Sequence, residues 1–152
     1  MTSFNQVPKR RATFMKVAHV IADLSSCISR CVGAVLVRDG MIISTGYNGT
    51  PKGVRNCSEG GCSRCSDATI ASGEQLDKCL CLHAETNAVI QAAYNGISTQ
   101  GAVLYCTVKP CLGCVKILIN AGVRKVFYEQ EYNVEYPKHL IENIIICKLE
   151  DV

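Results

Sequence analysis

The segment Ala102–Tyr128, AVLYCTVKPCLGCVKILINAGVRKVFY, reads as strand, helix and strand in succession. Ala102–Thr107 is an apolar run of the buried-strand type. Pro110 suits a helix start, and the helix over Cys111–Asn120 stops at Gly122. Val123–Tyr128 is the next strand. Upstream, helical spacing of Phe14, Val17, Ala18, Ile21 and Leu24 predicts a helix over residues 8–26. Val32–Val37 and Met41–Thr45 flank Asp39-Gly40, a strong hairpin signal. Helical character resumes at His83, runs through Ala88, Val89, Ala92 and Ala93, and ends at Asn95-Gly96. A short helix at Lys138–Glu142 and a strand at Ile144–Cys147 close the chain. Helices alternating with strands predict an α/β arrangement, one partly parallel sheet with helices on its faces. No internal repeat or second domain is visible, so residues 1–152 are expected to form a single domain.

The interval 47–81 breaks this pattern. Gly, Ser, Asn and Cys dominate it, and apolar periodicity disappears. A long irregular segment inside a compact domain is usually functional or disordered. This one carries Cys57, Cys62, Cys65, Cys79 and Cys81, out of 11 cysteines in 152 residues. An odd number of cysteines without a secretory leader argues against a disulfide framework and for metal ligation or reduced packing thiols. The start, MTSFNQVPKRR, has no signal-peptide core, and no apolar run is long enough to span a bilayer. A soluble, cytoplasmic protein without a membrane partner is expected. Hydrophobic residues make up 48% and the net charge is +3, which suits a globular chain. Without a basic stripe, a nucleic-acid partner is not expected.

Two short motifs carry chemistry. His83-x-Glu85 begins one predicted helix, and Pro110-Cys111-x-x-Cys114 begins another. Cys111 and Cys114 point the same way on a first turn. With His83 they make three ligands for zinc and leave a fourth position for water, whose pKa the ion lowers toward neutrality. Glu85 is not needed as a ligand, so it is free to move protons. This H-x-E…P-C-x-x-C order is the signature of zinc-dependent nucleobase deaminases. Either motif alone is weak, and the combination is specific. A structural zinc module is the competing reading, and it leaves Glu85 and Pro110 unexplained.

The chain resembles the deoxycytidylate deaminases of the cytidine-deaminase-like superfamily. The resemblance lies in VGAVLVRDGMIISTGYNGTPKGVRNC, CLCLHAETNAVIQAA, LYCTVKPCLGCVKILINAGVRKVFY and the EQEY that follows. It implies a three-layer α/β cytidine-deaminase-like fold with a central mixed five-stranded sheet flanked by helices. It also implies zinc on His83, Cys111 and Cys114, with Glu85 as the proton shuttle. The implied reaction is hydrolytic deamination of dCMP. Water adds to carbon 4 of cytosine, Glu85 protonates ring nitrogen 3 and then the amine, and dUMP and ammonia leave. That reaction supplies dUMP for dTMP synthesis, and the motifs leave dCTP open as a second substrate. A tRNA-type base deaminase shares the zinc motifs but usually differs at Gly46–Pro51, GYNGTP.

The same resemblance implies substrate contacts at Asn48 (deoxyribose), at Ala84 and Thr107 (base edge, through backbone groups) and at Tyr132 (near the phosphate). A tight turn alone would also explain Asn48-Gly49. Arg30, Lys52, Arg55 and Lys109 are alternatives for the phosphate cation. Activation by dCTP, inhibition by dTTP and a homohexamer are further implications. Cys57-x4-Cys62-x2-Cys65 has metal-ligand spacing, and three thiolates need a fourth ligand for a closed structural zinc site. The resemblance favours Cys27 as that ligand, with Cys79 as the alternative. Cys31, Cys106 and Cys147 are expected to be buried packing residues, and His19 and His139 to be non-ligands.

Overall fold

The computed structural model of the protein describes residues 6–150. Its element order is α1 (Gln6–Ala22), β1 (Gly33–Arg38), β2 (Met41–Tyr47), α2 (Ser63–Ser66), α3 (Ala84–Tyr94), β3 (Val103–Val108), α4 (Leu112–Asn120), β4 (Lys125–Gln130), α5 (Lys138–Ile141) and β5 (Ile145–Lys148). The strand–helix–strand unit of the sequence is β3–α4–β4, and its strands pair in parallel with Leu104 opposite Val126. Asp39 and Gly40 both take positive φ, 51° and 75°. That geometry lets the chain reverse between β1 and β2 without splaying them. The sheet order is β2-β1-β3-β4-β5. The β2–β1 and β1–β3 pairs are antiparallel, and β4–β5 is parallel. The sheet is therefore mixed and five-stranded, as expected.

Both faces of the sheet are covered, and this explains the apolar runs in its strands. Val35, Val37, Tyr105 and Phe127 pack on Met15 and Ala18 of α1. Their alternating neighbours Ala34, Leu36, Leu104, Cys106 and Val126 pack on Ala84 and Ala88 of α3 and on Val115 and Leu118 of α4. These layers are α1, the sheet, and α3 with α4. Leu36, Leu104 and Leu118 are completely buried, and truncating any one to alanine should cost about 2–5 kcal/mol.

Close helix approach needs glycine at Gly46. A Cβ there would lie 2.2 Å from the Ala84 carbonyl oxygen and 2.4 Å from the Ala88 nitrogen. The missing side chain therefore seats the first turn of α3 directly on β2. That turn carries Glu85.

Three differences from the sequence reading have physical causes. The first helix ends at Ala22, not at residue 26, because Ser25 Oγ donates to the backbone and side-chain oxygens of Asn48, both at 2.7 Å. Most strand boundaries shift by one or two residues, as fraying element ends do. Cys31 is exposed and precedes β1 rather than packing inside it, whereas Cys106 is buried and Cys147 half-buried.

Candidate metal centre and catalytic cleft

His83 and Cys111 are the N-cap residues of α3 and α4, both with extended backbone. Cys114 lies on the first turn of α4, and its backbone N–H donates to Cys111 Sγ at 3.4 Å. His83 Nδ1 lies 3.4 Å from each of the two sulfurs. This spacing fits zinc, whose bonds of about 2.0–2.3 Å place tetrahedral neighbours roughly 3.3–3.8 Å apart. His83 and Cys111 are partly buried and Cys114 is buried. Three protein donors leave one tetrahedral position open.

Without metal, the donors share their protons unequally. A hydrogen bond from Cys114 holds Cys111 down to about 4, and the same bond pushes Cys114 up. The hydrogen bond to Cys111 raises His83. A divalent ion bound to the three donors would displace the protons they share. Glu85 is only 4% exposed. Burial raises its pKa, as desolvation of a carboxylate does.

One cleft joins His83, Ala84, Glu85 and Cys111 to Arg30, Asn48, Lys109 and Tyr132. Its outer wall includes Ser72, Gly73 and Leu76 from the cysteine-rich segment. Asn48 lines the cleft but is largely committed to the fold. Its Oδ1 accepts from Val32 N at 2.8 Å and from Ser25 Oγ, and its Nδ2 donates to Arg30 O at 2.6 Å. One amide hydrogen of Asn48 remains for a ligand. Thr107 does not line the cleft: its Oγ1 accepts from Gly33 N at 3.2 Å. Val108 and Lys109, further along that strand end, reach it instead.

The structure also sorts the cations. Lys52 and Arg55 lie off the cleft. Arg64, which the sequence reading did not single out, is buried and ties the segment together by donating to Ala71 O and Glu74 O. Lys109 faces Glu131 at 3.6 Å. Arg30 lies over the Tyr132 ring at 5.6 Å and makes no ion pair among the described residues. His19 meets Glu129, and neither His19 nor His139 joins a metal-capable group among the described residues.

The second cysteine set differs from the expected one. Cys62 does not share a group with Cys27 and Cys57. The structure forms one group of Cys27, Cys57, Cys65 and Cys81, and another of Cys62, Cys65, Cys79 and Cys81, with the sulfurs of each within 4.8 Å. Cys62 and Cys65 sit one turn apart at the start of α2, which turns Cys62 toward Cys79. Cys79, given above as an alternative, belongs to the cluster alongside Cys27. Cys81 was missed because it sits in apolar company just before His83. The period-2 run Cys79, Cys81, His83 was the available signal, since alternate residues of an extended chain share a side. The bridge Gly49–Leu82, with N···O distances of 3.2 and 2.8 Å, holds this run in place.

The chain belongs to the cytidine and deoxycytidylate deaminase family, whose zinc-binding region matches residues 8–130. Zinc is therefore the metal this family's site binds. A deoxycytidylate deaminase of Schizosaccharomyces pombe is 45% identical over 84% of this chain and 39% of its own length. One from Saccharomyces cerevisiae is 43% identical over 84% of this chain and 40% of its own. The chain thus spans about two fifths of these curated relatives. A dCMP deaminase from the cyanophage S-TIM5, solved in complex with dCMP and dUMP, superposes with a TM-score of 0.76. It is 32% identical, and the match covers 93% of this chain and 97% of that one. Among the described residues, no helix is long and apolar enough to cross a membrane.

Proposed function

We propose that this chain catalyses the hydrolytic deamination of dCMP to dUMP and ammonia. The observation that carries the reading is Glu85, a buried carboxyl with a raised pKa, beside a three-donor centre that has one open position. A closed structural site would have no use for such a group. His83, Cys111 and Cys114 would hold the catalytic zinc, which supplies Lewis acidity and activates water near neutral pH. Glu85 would take one proton from the attacking water and pass it to ring nitrogen 3, then take the second from the hydroxyl now on carbon 4 and pass it to the amine, which leaves as ammonia while the carbonyl forms. Ala84, on the cleft wall at the first turn of α3, offers a backbone N–H with no intrahelical partner for the base edge. The spare amide hydrogen of Asn48 meets the sugar, and Arg30 with Tyr132 receives the phosphate. The similarity to the cyanophage enzyme solved with dCMP and dUMP supports this choice of nucleotide.

The test is ammonia release from dCMP, CMP, dCTP, deoxycytidine and a cytosine-containing single-stranded oligonucleotide. The dCMP reaction should have the highest kcat/KM, with deoxycytidine well below it. Deamination of the oligonucleotide without deamination of dCMP would replace this reading by a nucleic-acid deaminase.

A further inference from the structure

The cysteine-rich segment brings five sulfurs together with that of Cys27, six in all and more than one tetrahedral ion can bind. The two groups of four overlap in Cys65 and Cys81. Cys62 and Cys57 are 0% and 1% exposed, so each lies in only one group yet is removed from solvent. We propose that Cys27, Cys57, Cys62, Cys65, Cys79 and Cys81 hold two zinc ions, with the thiolates of Cys65 and Cys81 bridging both. The inference goes beyond the proposed reaction and does not depend on it.

The coordination count favours this arrangement. Two four-coordinate ions need eight bonds, and six sulfurs supply eight when two of them bridge. A single ion would use four sulfurs and leave two thiols packed against thiolates. Zinc–sulfur bonds of about 2.3 Å set a tetrahedral edge of roughly 3.8 Å. Cys62 and Cys79 sulfurs lie 3.9 Å apart, and Cys65 and Cys79 sulfurs 3.8 Å apart. Sulfur-only tetrahedral donor sets select zinc among the common divalent ions. The surroundings suit anionic sulfur as well. Leu80 N donates to Cys62 Sγ at 3.4 Å.

Charge also balances. Six thiolates and two Zn²⁺ leave a net −2, the same as one ion with four thiolates, but with no buried thiol left over. The cluster joins the turn after α1 (Cys27), the body of the segment (Cys57, Cys62, Cys65) and the run leading to His83 (Cys79, Cys81). Three parts of the chain with little regular structure would be fastened at one point. Such a cluster would give the outer wall of the cleft its shape.

The full chain, purified under reducing conditions, is tested by native mass spectrometry with elemental analysis and by zinc X-ray absorption. Three zinc ions per chain are expected. Two should remain in the variant Cys111→Ser/Cys114→Ser, which lacks the catalytic thiolates. The absorption spectrum of that variant should show four sulfurs per zinc and a zinc–zinc distance of about 3 Å, as edge-sharing tetrahedra require. Two ions in the wild type with no zinc–zinc scattering would overturn the proposal in favour of a mononuclear site. So would disulfide-bonded masses without metal, or any metal other than zinc. Neither readout requires turnover, so an inactive protein with three zinc ions would sink the proposed reaction and leave the cluster standing.

Discussion

The two sulfur-rich regions use similar donors for opposite ends. At His83, Cys111 and Cys114 the donors come from the starts of two helices already fixed on a packed sheet. The scaffold places them, so three suffice and the fourth position stays open for chemistry. The cluster of Cys27, Cys57, Cys62, Cys65, Cys79 and Cys81 sits where regular structure is short: one four-residue helix and two three-residue 3₁₀ turns. There the scaffold cannot place the donors, so the donors must place the scaffold. An open site relies on a prior fold, whereas a closed cluster supplies one.

Glu85→Gln separates the two roles most sharply. The amide keeps the shape of the side chain but cannot carry the proton, so kcat should fall by about 10²–10⁴-fold. Zinc content should be unchanged at both regions, since Glu85 is a ligand in neither. Turnover that survived this change would refute the proton-shuttle role. Cys81→Ser attacks the other side of the contrast. It removes a sulfur common to both groups and lies two residues before His83 on the same extended run. Zinc should be lost from the cluster. The thermal midpoint should drop by roughly 10 °C, which corresponds to about 4 kcal/mol for a chain of this size. His83 should also hold its own ion more weakly, and chelator titration reads that as earlier release of the catalytic zinc. An unchanged midpoint and metal count would mean that the segment folds without its cluster.

How much of this the sequence disclosed follows the same division. The β3–α4–β4 unit and the hairpin were legible because β1, β3 and β4 have two covered faces and the turn at Asp39-Gly40 has a specific residue requirement. His83, Glu85, Cys111 and Cys114 were legible because helix starts fix spacing locally. The cluster was legible in composition but not in membership. Cys62 against Cys27 is a question of three-dimensional reach, which no local spacing encodes. Cys81 was hidden because a cysteine among leucines also reads as a small core residue. Thr107 and Asn48 show another limit. Both are polar residues near the cleft, but a buried polar group must first satisfy the protein, and Thr107 does so at Gly33.

Arg30→Ala probes where the two regions meet, on the cleft wall. The structural work of this residue is done by its backbone: the carbonyl accepts from Asn48 Nδ2, and truncating the side chain leaves that bond intact. What is lost is a cation over Tyr132 with no acidic partner among the described residues. A charged hydrogen bond of about 1.5–3 kcal/mol corresponds to roughly a 10- to 100-fold rise in KM for dCMP. kcat should change little, and deoxycytidine, which lacks the phosphate, should be deaminated as before. An equal loss for deoxycytidine would show that Arg30 shapes the cleft rather than binding phosphate.

The smallest effect is expected at Cys31, and its smallness is informative. Cys31 is four residues from Cys27 and belongs to neither sulfur group. Its side chain is exposed, and its sulfur lies near two backbone oxygens, those of Ser25 at 3.8 Å and Cys27 at 3.7 Å. A serine can make the same contacts. Cys31→Ser should therefore change stability by less than about 0.5 kcal/mol, move the thermal midpoint by no more than roughly 2 °C, and leave the zinc count as it was. If metal binding depended on the local density of cysteines, this neighbour of a ligand would serve as a spare, and its loss would register in affinity. If it depends on which sulfurs the backbone brings within one tetrahedral edge of each other, Cys31 is irrelevant despite its position. A measurable loss of zinc from Cys31→Ser would place it inside the cluster and redraw the two groups.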